Sequence, residues 1–147
     1  MSKVVSTQLT EETEAKLQRL ARRLGKTPSE TGAMLIEESL RQSEFAHIEF
    51  RNSSIGRQAY MKNSNLAVWQ VIMLAEEYDR DVEKIANHLQ KTITSVQAAL
   101  YYAEAYPEEI DLAIKDDLAT NYTTVKRLLP QTELLLIPEE IMLEDIQ

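Results

Sequence analysis

At 147 residues, 44% of them hydrophobic, the chain has room for one domain or two small ones and enough apolar matter for a core. It has no run of about 18 apolar residues, which excludes a membrane-spanning helix. Its beginning lacks the apolar stretch of a secretory leader. It also has no cysteine, which excludes disulfides, thiolate metal sites and thiol nucleophiles, so a cytoplasmic protein is the simplest expectation. The net charge of −8 speaks against nucleic acid until it is divided along the chain. Residues 1–43 carry seven Lys or Arg against six Asp or Glu, residues 44–115 seven against eleven, and residues 116–147 two against seven. The acidity is concentrated toward the C-terminus, as suits a chain with one nucleic-acid end and one end facing a basic partner.

The first element is a short polar strand, Lys3-Val4-Val5-Ser6-Thr7-Gln8-Leu9. Alternation puts Val5, Thr7 and Leu9 on one face and Val4, Ser6 and Gln8 on the other. One strand of this length leaves its backbone donors and acceptors without partners, so it requires a second copy of itself. Two copies form a ribbon of a size that enters the DNA major groove.

Two helices follow. Thr10 is an N-cap, and Glu11, Glu12 and Glu14 lie at the positive end of the first helix dipole. Leu17, Leu20, Ala21 and Leu24 recur at helical spacing as a buried face, and Gly25 supplies a left-handed stop. In Thr27-Pro28-Ser29-Glu30, Thr27 is a cap, Pro28 occupies the first helical position, and Glu30 completes a capping box. The second helix is expected to run to about Gln42 and to bury Ala33, Leu35, Ile36 and Leu40.

From Lys3 to Gln42, including the Gly25-Lys26-Thr27-Pro28-Ser29-Glu30 turn, the sequence resembles the CopG/Arc/MetJ ribbon-helix-helix family. The resemblance implies an intertwined homodimer whose antiparallel ribbon reads bases. On this register Ser6 and Gln8 are the readers, with Lys3 and Val4 at the edge. Lys26, Thr27 and Ser29 lie near phosphate, which the backbone amides at Thr27 to Ser29 would hold at a helix N-terminus. The outward strand face of Val4, Ser6 and Gln8 is uncharged, so tight binding needs several dimers on tandem sites. The alternative is a ribbon used for dimerisation alone.

Beyond Ser43 the pattern changes. His47-Ile48-Glu49-Phe50-Arg51 and Ala59-Tyr60-Met61-Lys62 alternate around the turn-rich Asn52-Ser53-Ser54-Ile55-Gly56, which predicts a β-hairpin. Ser64 or Asn65 caps a helix from Leu66 to about Tyr78 with Val68, Trp69, Ile72 and Ala75 along it. Asp79 to Asp81 is a break, and Val82 to Leu89 a short helix. Thr92 or Thr94 caps another helix reaching Tyr106, and Pro107 stops it or starts the next. Three short helices with a turn between the last two suggest helix-turn-helix or winged-helix geometry. The would-be recognition helix, Ser95 to Tyr106, carries no Lys or Arg and reads better as a packing helix.

The stretch Phe45 to Ile114 resembles a small domain of unknown function found on antitoxins of VapB type. Gly56-Arg57, Leu66-Ala67-Val68-Trp69, Val96-Gln97-Ala98-Ala99-Leu100-Tyr101-Tyr102-Ala103 and Pro107-Glu108-Glu109-Ile110-Asp111 carry the likeness. It implies a toxin-antitoxin role beside a PIN-like ribonuclease toxin.

A last helix is expected from Glu108 to about Leu129, with a break at Asn121-Tyr122-Thr123-Thr124 and an end at Pro130. Then come Leu134, Leu135, Leu136 and Ile137, followed by Glu139, Glu140, Ile141 and Leu143. Apolar side chains of this kind cost about 1.5 to 3 kcal/mol each to leave in water, so this acidic, hydrophobic arm needs its own domain, its dimer mate or a basic partner such as a toxin cleft to cover it.

No constellation supports an enzyme. His47 and His88 fall on separate elements, Asp111, Asp116 and Asp117 read as solvated helix positions, and no nucleophile elbow or phosphate-binding glycine loop occurs. No cofactor or metal is expected.

The expected fold is mainly α. A dimeric β-α-α ribbon-helix-helix spans 1–43, a small helical domain with a β-hairpin spans 44–115, and a C-terminal helix and arm span 116–147. The expected function is a DNA-binding antitoxin that represses its own operon. Alternatives are a free-standing regulator of the same family and a dimeric scaffold that binds only protein.

Overall fold

In the computed structural model of the chain, residues 2–53 and 56–128 are described, with side chains to residue 119. The architecture is mainly helical with one small antiparallel sheet, in the order α1 (Glu11–Leu24), α2 (Pro28–Glu44), β1 (Ile48–Ser53), β2 (Gly56–Met61), α3 (Val68–Glu77), α4 (Val82–Leu89), α5 (Ile93–Ala105) and α6 (Pro107–Leu128).

The first two helices form where local signals dictate. The Thr10 hydroxyl accepts from the Thr13 amide at 3.2 Å, and Gly25 ends α1 at φ 66°, a left-handed conformation that a side chain would strain. At α2 the capping box is complete. The Thr27 hydroxyl accepts from the Glu30 amide at 3.1 Å, and the Glu30 carboxylate accepts from the Thr27 amide at 3.4 Å. Pro28 opens the helix with the one residue that has no amide hydrogen to leave unpaired.

Ahead of these helices the expectation fails. Lys3–Leu9 is not a strand; among the described residues it makes no backbone hydrogen bond, and helices precede the sheet instead of following a first strand. The physical reason is pairing. A β-strand is defined by a neighbour, and the described residues offer this segment none. The expected burial on α2 fails for a related reason. Ala33 is exposed, Ile36 is 59% and Leu40 64% exposed, and Leu35 is only half-buried. On α1, only Ala21 is buried, with Leu17, Leu20 and Leu24 half-covered. Two helices contribute one stripe each, and two stripes cannot enclose a core.

Downstream, the hairpin is in place. The strands pair from Ile48 opposite Met61 to Ser53 opposite Gly56. The side chains of Ile48, Ala59 and Met61 turn inward onto Val68, Val71 and Ala75 of α3, Ile85 and Ala86 of α4, Val96, Ala99, Leu100, Tyr102 and Ala103 of α5, and Ile110 of α6. Phe45, Phe50, Leu66, Trp69 and Ile72 pack around this core.

Helix α3 starts two residues later than Leu66. The Leu66 carbonyl accepts from the Met61 amide at 2.9 Å, and Ala67 bridges Tyr60, so both residues extend the sheet before the helix begins. Ser64 serves that turn, accepting from the Leu66 amide at 3.1 Å, and the Ala67 amide is taken by the Gln70 side chain at 2.9 Å. The break before α4 is made by Asp79 and Arg80, both with positive φ, and Asp81 caps α4. Thr92 caps α5, and Pro107 opens α6, whose helix runs through Asn121–Thr124 without a break. No helix among the described residues is long and apolar enough to cross a membrane.

Candidate nucleic-acid interface

Lys3, Val4, Ser6 and Gln8 occupy the segment before α1, all of them exposed. Both faces of the segment meet water, with Val4 95% and Val5 86% exposed, so the described chain alone does not separate a reading face from a core face. Lys26 follows the α1 stop and directs its ammonium toward Met34, with Nζ 3.9 Å from the sulfur.

At the α2 N-terminus the chemistry is more restrictive than the sequence suggests. Of the backbone amides from Thr27 to Ser29, that of Thr27 already donates to Glu30, and Pro28 has none, which leaves Ser29. The Glu30 carboxylate is itself the anion at this helix end, so an incoming phosphate meets a like charge.

A second basic feature lies on α1. Lys16, Arg19, Arg22 and Arg23 line one open concavity on the surface. Summing charge over residues 1–43 conceals it, because Glu11, Glu12 and Glu14 on one side and Glu30, Glu37 and Glu38 on the other cancel it in the total. A shorter window finds it: from Ala15 to Ser29 there are five Lys or Arg and no Asp or Glu.

Behind this interface, α2 is clamped to the second unit. Arg57 of β2 grips the largely buried Glu38 carboxylate through Nε at 3.0 and 3.1 Å and through Nη2 at 2.8 Å. One turn on, Arg41 donates at 2.8 Å to the Tyr102 hydroxyl of α5, at 2.8 Å to Glu109 of α6 and at 2.7 Å to Glu37. The Tyr102 hydroxyl donates to Glu109 in turn, closing the triangle. The Arg41 guanidinium carbon also stacks 3.8 Å from the Tyr106 ring centre.

Burial above all, and then the hydrogen bond to Glu109, pushes the Tyr102 hydroxyl well above the ordinary tyrosine value. Burial alone would favour a neutral Arg41. The hydrogen bonds to Glu109 and Tyr102 and their charge outweigh it and hold the cation more firmly than usual. This cluster is a structural lock: both terminal nitrogens of Arg41, the Tyr102 hydroxyl and the Glu109 carboxylate bond one another or Glu37, and only the buried Arg41 Nε has no partner among the described residues. Long sequence separation hid it, since Arg41 meets partners 61 and 68 residues away.

His88 is exposed and bonds Tyr78 through Nδ1 at 2.8 Å, far along the chain from His47. Asp111, Asp116 and Asp117 all lie on α6, and among the described residues no group of three His, Asp or Glu is placed to hold a metal ion. The expected partner arm (Leu134, Leu135, Leu136, Ile137, Glu139, Glu140, Ile141 and Leu143) lies outside the described residues. Compared with known proteins, the chain matches no family model, no curated protein and no solved structure.

Proposed function

We propose that the chain is a homodimeric DNA-binding antitoxin that represses its own operon and neutralises a protein toxin, with a PIN-like ribonuclease as the expected toxin class. The observation that carries this reading is the unfinished core of the N-terminal unit. Well-capped helices stand next to a seven-residue segment with no backbone partner among the described residues, and Val5, Leu9, Ile36 and Leu40 are exposed there. A second copy supplies what is missing. Lys3–Leu9 pairs with its counterpart to satisfy both backbones, Val5 and Leu9 turn onto the apolar stripes of the two helix pairs, and Ser6 and Gln8 are left on the outer face of a ribbon. That ribbon-helix-helix dimer presents Ser6 and Gln8 to base edges, each good pair being worth about 1–3 kcal/mol of discrimination.

The toxin half of the proposal is supported by the motifs shared with VapB-type antitoxins and by the acidity of residues 44–147, which suits a basic partner. The uncharged outer strand face favours a second reading, in which the ribbon dimerises and the protein binds only protein. Two experiments separate them. Co-expression with the neighbouring gene product is expected to yield a stable complex on purification. A mobility-shift assay with the chain's own upstream DNA is expected to give a retarded species that Ser6→Ala with Gln8→Ala abolishes while the dimer persists. Complex formation without any DNA shift selects the scaffold reading, and absence of both overturns the proposal.

A further inference from the structure

We propose that the outer face of α1 is a phosphate-backbone contact, in which Lys16, Arg19, Arg22 and Arg23 lie along one strand of a nucleic-acid duplex. This deepens the DNA-binding reading and rests on it for the identity of that duplex. Lys16, Arg19 and Arg22 follow at steps of three and Arg23 lies four after Arg19, so the four form a broad stripe along the helix, turned away from the Leu17, Leu20, Ala21 and Leu24 side. The stripe belongs to a stretch of fifteen residues, Ala15 to Ser29, with five cations and no carboxylate, inside a chain of net charge −8.

Its state of pairing sets it apart from the other arginines whose side chains are described. Arg41, Arg51, Arg57 and Arg80 each hold a glutamate within 3.6 Å. Arg19, Arg22 and Arg23 hold none among the described residues, and Lys16 has only Glu12, at 3.3 Å on an exposed helix face. The helix dipole accounts for Arg22 and Arg23 in the last turn of α1 but not for Lys16 and Arg19, which lie well before it.

The spacing fits a duplex. A rise of about 1.5 Å per residue puts Lys16 and Arg23 about 10 Å apart along the axis. A duplex strand presents one phosphate per roughly 3.4 Å of its own axis, so about three fall within that length. Three of the four cations are guanidinium groups, which bind phosphate through paired donors. The stripe also supplies what the strand lacks. Val4, Ser6 and Gln8 contribute no charge, whereas the sequence-independent part of duplex binding is almost wholly electrostatic.

The test is fluorescence anisotropy of the full chain with a random-sequence duplex and with its upstream DNA, from about 50 to 200 mM salt. In the Arg19→Gln/Arg22→Gln/Arg23→Gln variant both duplexes are expected to bind more weakly. The slope of log affinity against log salt is expected to be shallower by about two to three, at roughly 0.9 for each phosphate that the variant leaves without a cation. The corresponding triple Lys variant is expected to retain the slope, which separates charge from folding. An unchanged slope in the Gln variant with upstream DNA still preferred overturns the stripe and leaves the DNA-binding reading standing. A shallower slope with no preference for upstream over random DNA upholds the stripe and removes the operator reading. Failure of the wild-type chain to bind either duplex removes both.

Discussion

The hairpin and the helices that follow it enclose a core of apolar side chains, whereas the helix pair ahead of them fully buries only Ala21 among its own. Val68, Val71, Ala75, Ile85, Val96, Ala99 and Tyr102 are fully buried in the one, and in the other Ile36 and Leu40 are more than half exposed. The local grammar of the two regions is nevertheless the same. Thr10 and Thr27 cap α1 and α2 just as Asp81 and Thr92 cap α4 and α5. Capping is therefore enough to place a helix, but not to give it a core. A core needs elements on several sides, which the hairpin and four helices supply and two helices do not. The N-terminal unit lacks an enclosed core of its own among the described residues, and the Glu38–Arg57 and Arg41–Glu109 contacts fix it to a unit that has one.

Placing the same charge in each region breaks this contrast if it is false. Val71→Asp puts a carboxylate at a position with no exposure and no partner, which is expected to cost more than about 4 kcal/mol and to unfold the hairpin unit, read as loss of the cooperative transition in chemical denaturation. Ile36→Asp, at an exposed position, is expected to leave that transition within about 0.5 kcal/mol of wild type. Its effect should show in association instead. Sedimentation equilibrium is expected to give a dimer weakened at least tenfold, since burying an apolar side chain of this size is worth about 1.5–3 kcal/mol. A dimer indifferent to Ile36→Asp would mean that this face is not where two copies meet.

The same contrast explains what was legible in the sequence. The helix starts at Thr10, Thr27 and Thr92, the Gly25 stop and the hairpin around Asn52 to Gly56 are set by interactions within a few residues, and each could be read from its own neighbourhood. The start of α3 could not, because Leu66 and Ala67 are held by β2. Nor could the exposure of Ile36 and Leu40, since apolar spacing says which face wants cover but not whether the chain itself provides it. Ser6 and Gln8 read as strand positions from alternation alone, but Lys3–Leu9 is no strand in the structure, because alternation names a face and not the neighbour that a strand needs. The α1 stripe is present in the sequence throughout and disappears only when charge is averaged over too long a window.

The junction between the two regions gives an intermediate effect. Arg41→Ala leaves the Tyr102 hydroxyl and Glu109 without their cation. With Arg41 mostly buried and Glu109 44% exposed, the loss is expected to be about 1–2 kcal/mol, smaller than for a fully enclosed pair, and measurable in the denaturation midpoint. Tyr102→Phe tests the same triangle through pH. The unfolded chain ionises this hydroxyl near its ordinary value of 10.0, and the fold ionises it only at higher pH. Its contribution to stability is therefore complete below pH 10 and declines as pH rises beyond it. The wild-type chain is expected to lose stability in that range more steeply than the Phe variant. Parallel curves would show that the hydroxyl is not coupled to folding as the hydrogen bonds indicate.

The smallest effect concerns the α2 N-terminus, where folding and the proposed DNA binding make opposing demands. The Glu30 carboxylate stabilises the α2 N-terminus by accepting from the Thr27 amide and by countering the helix dipole, yet it places a negative charge where a phosphate would approach. Glu30→Gln keeps an acceptor for the Thr27 amide and removes the charge. It is expected to cost the fold only about 0.3–1 kcal/mol, the usual worth of a charge at a helix end, while tightening binding to any duplex by a few-fold at low salt. If α2 approaches the backbone, the gain shrinks as salt rises, because it arises from removing repulsion between charges. If affinity is the same for both proteins at every salt concentration, this helix end stays away from the DNA, and the phosphate contacts belong to the cations of α1 alone.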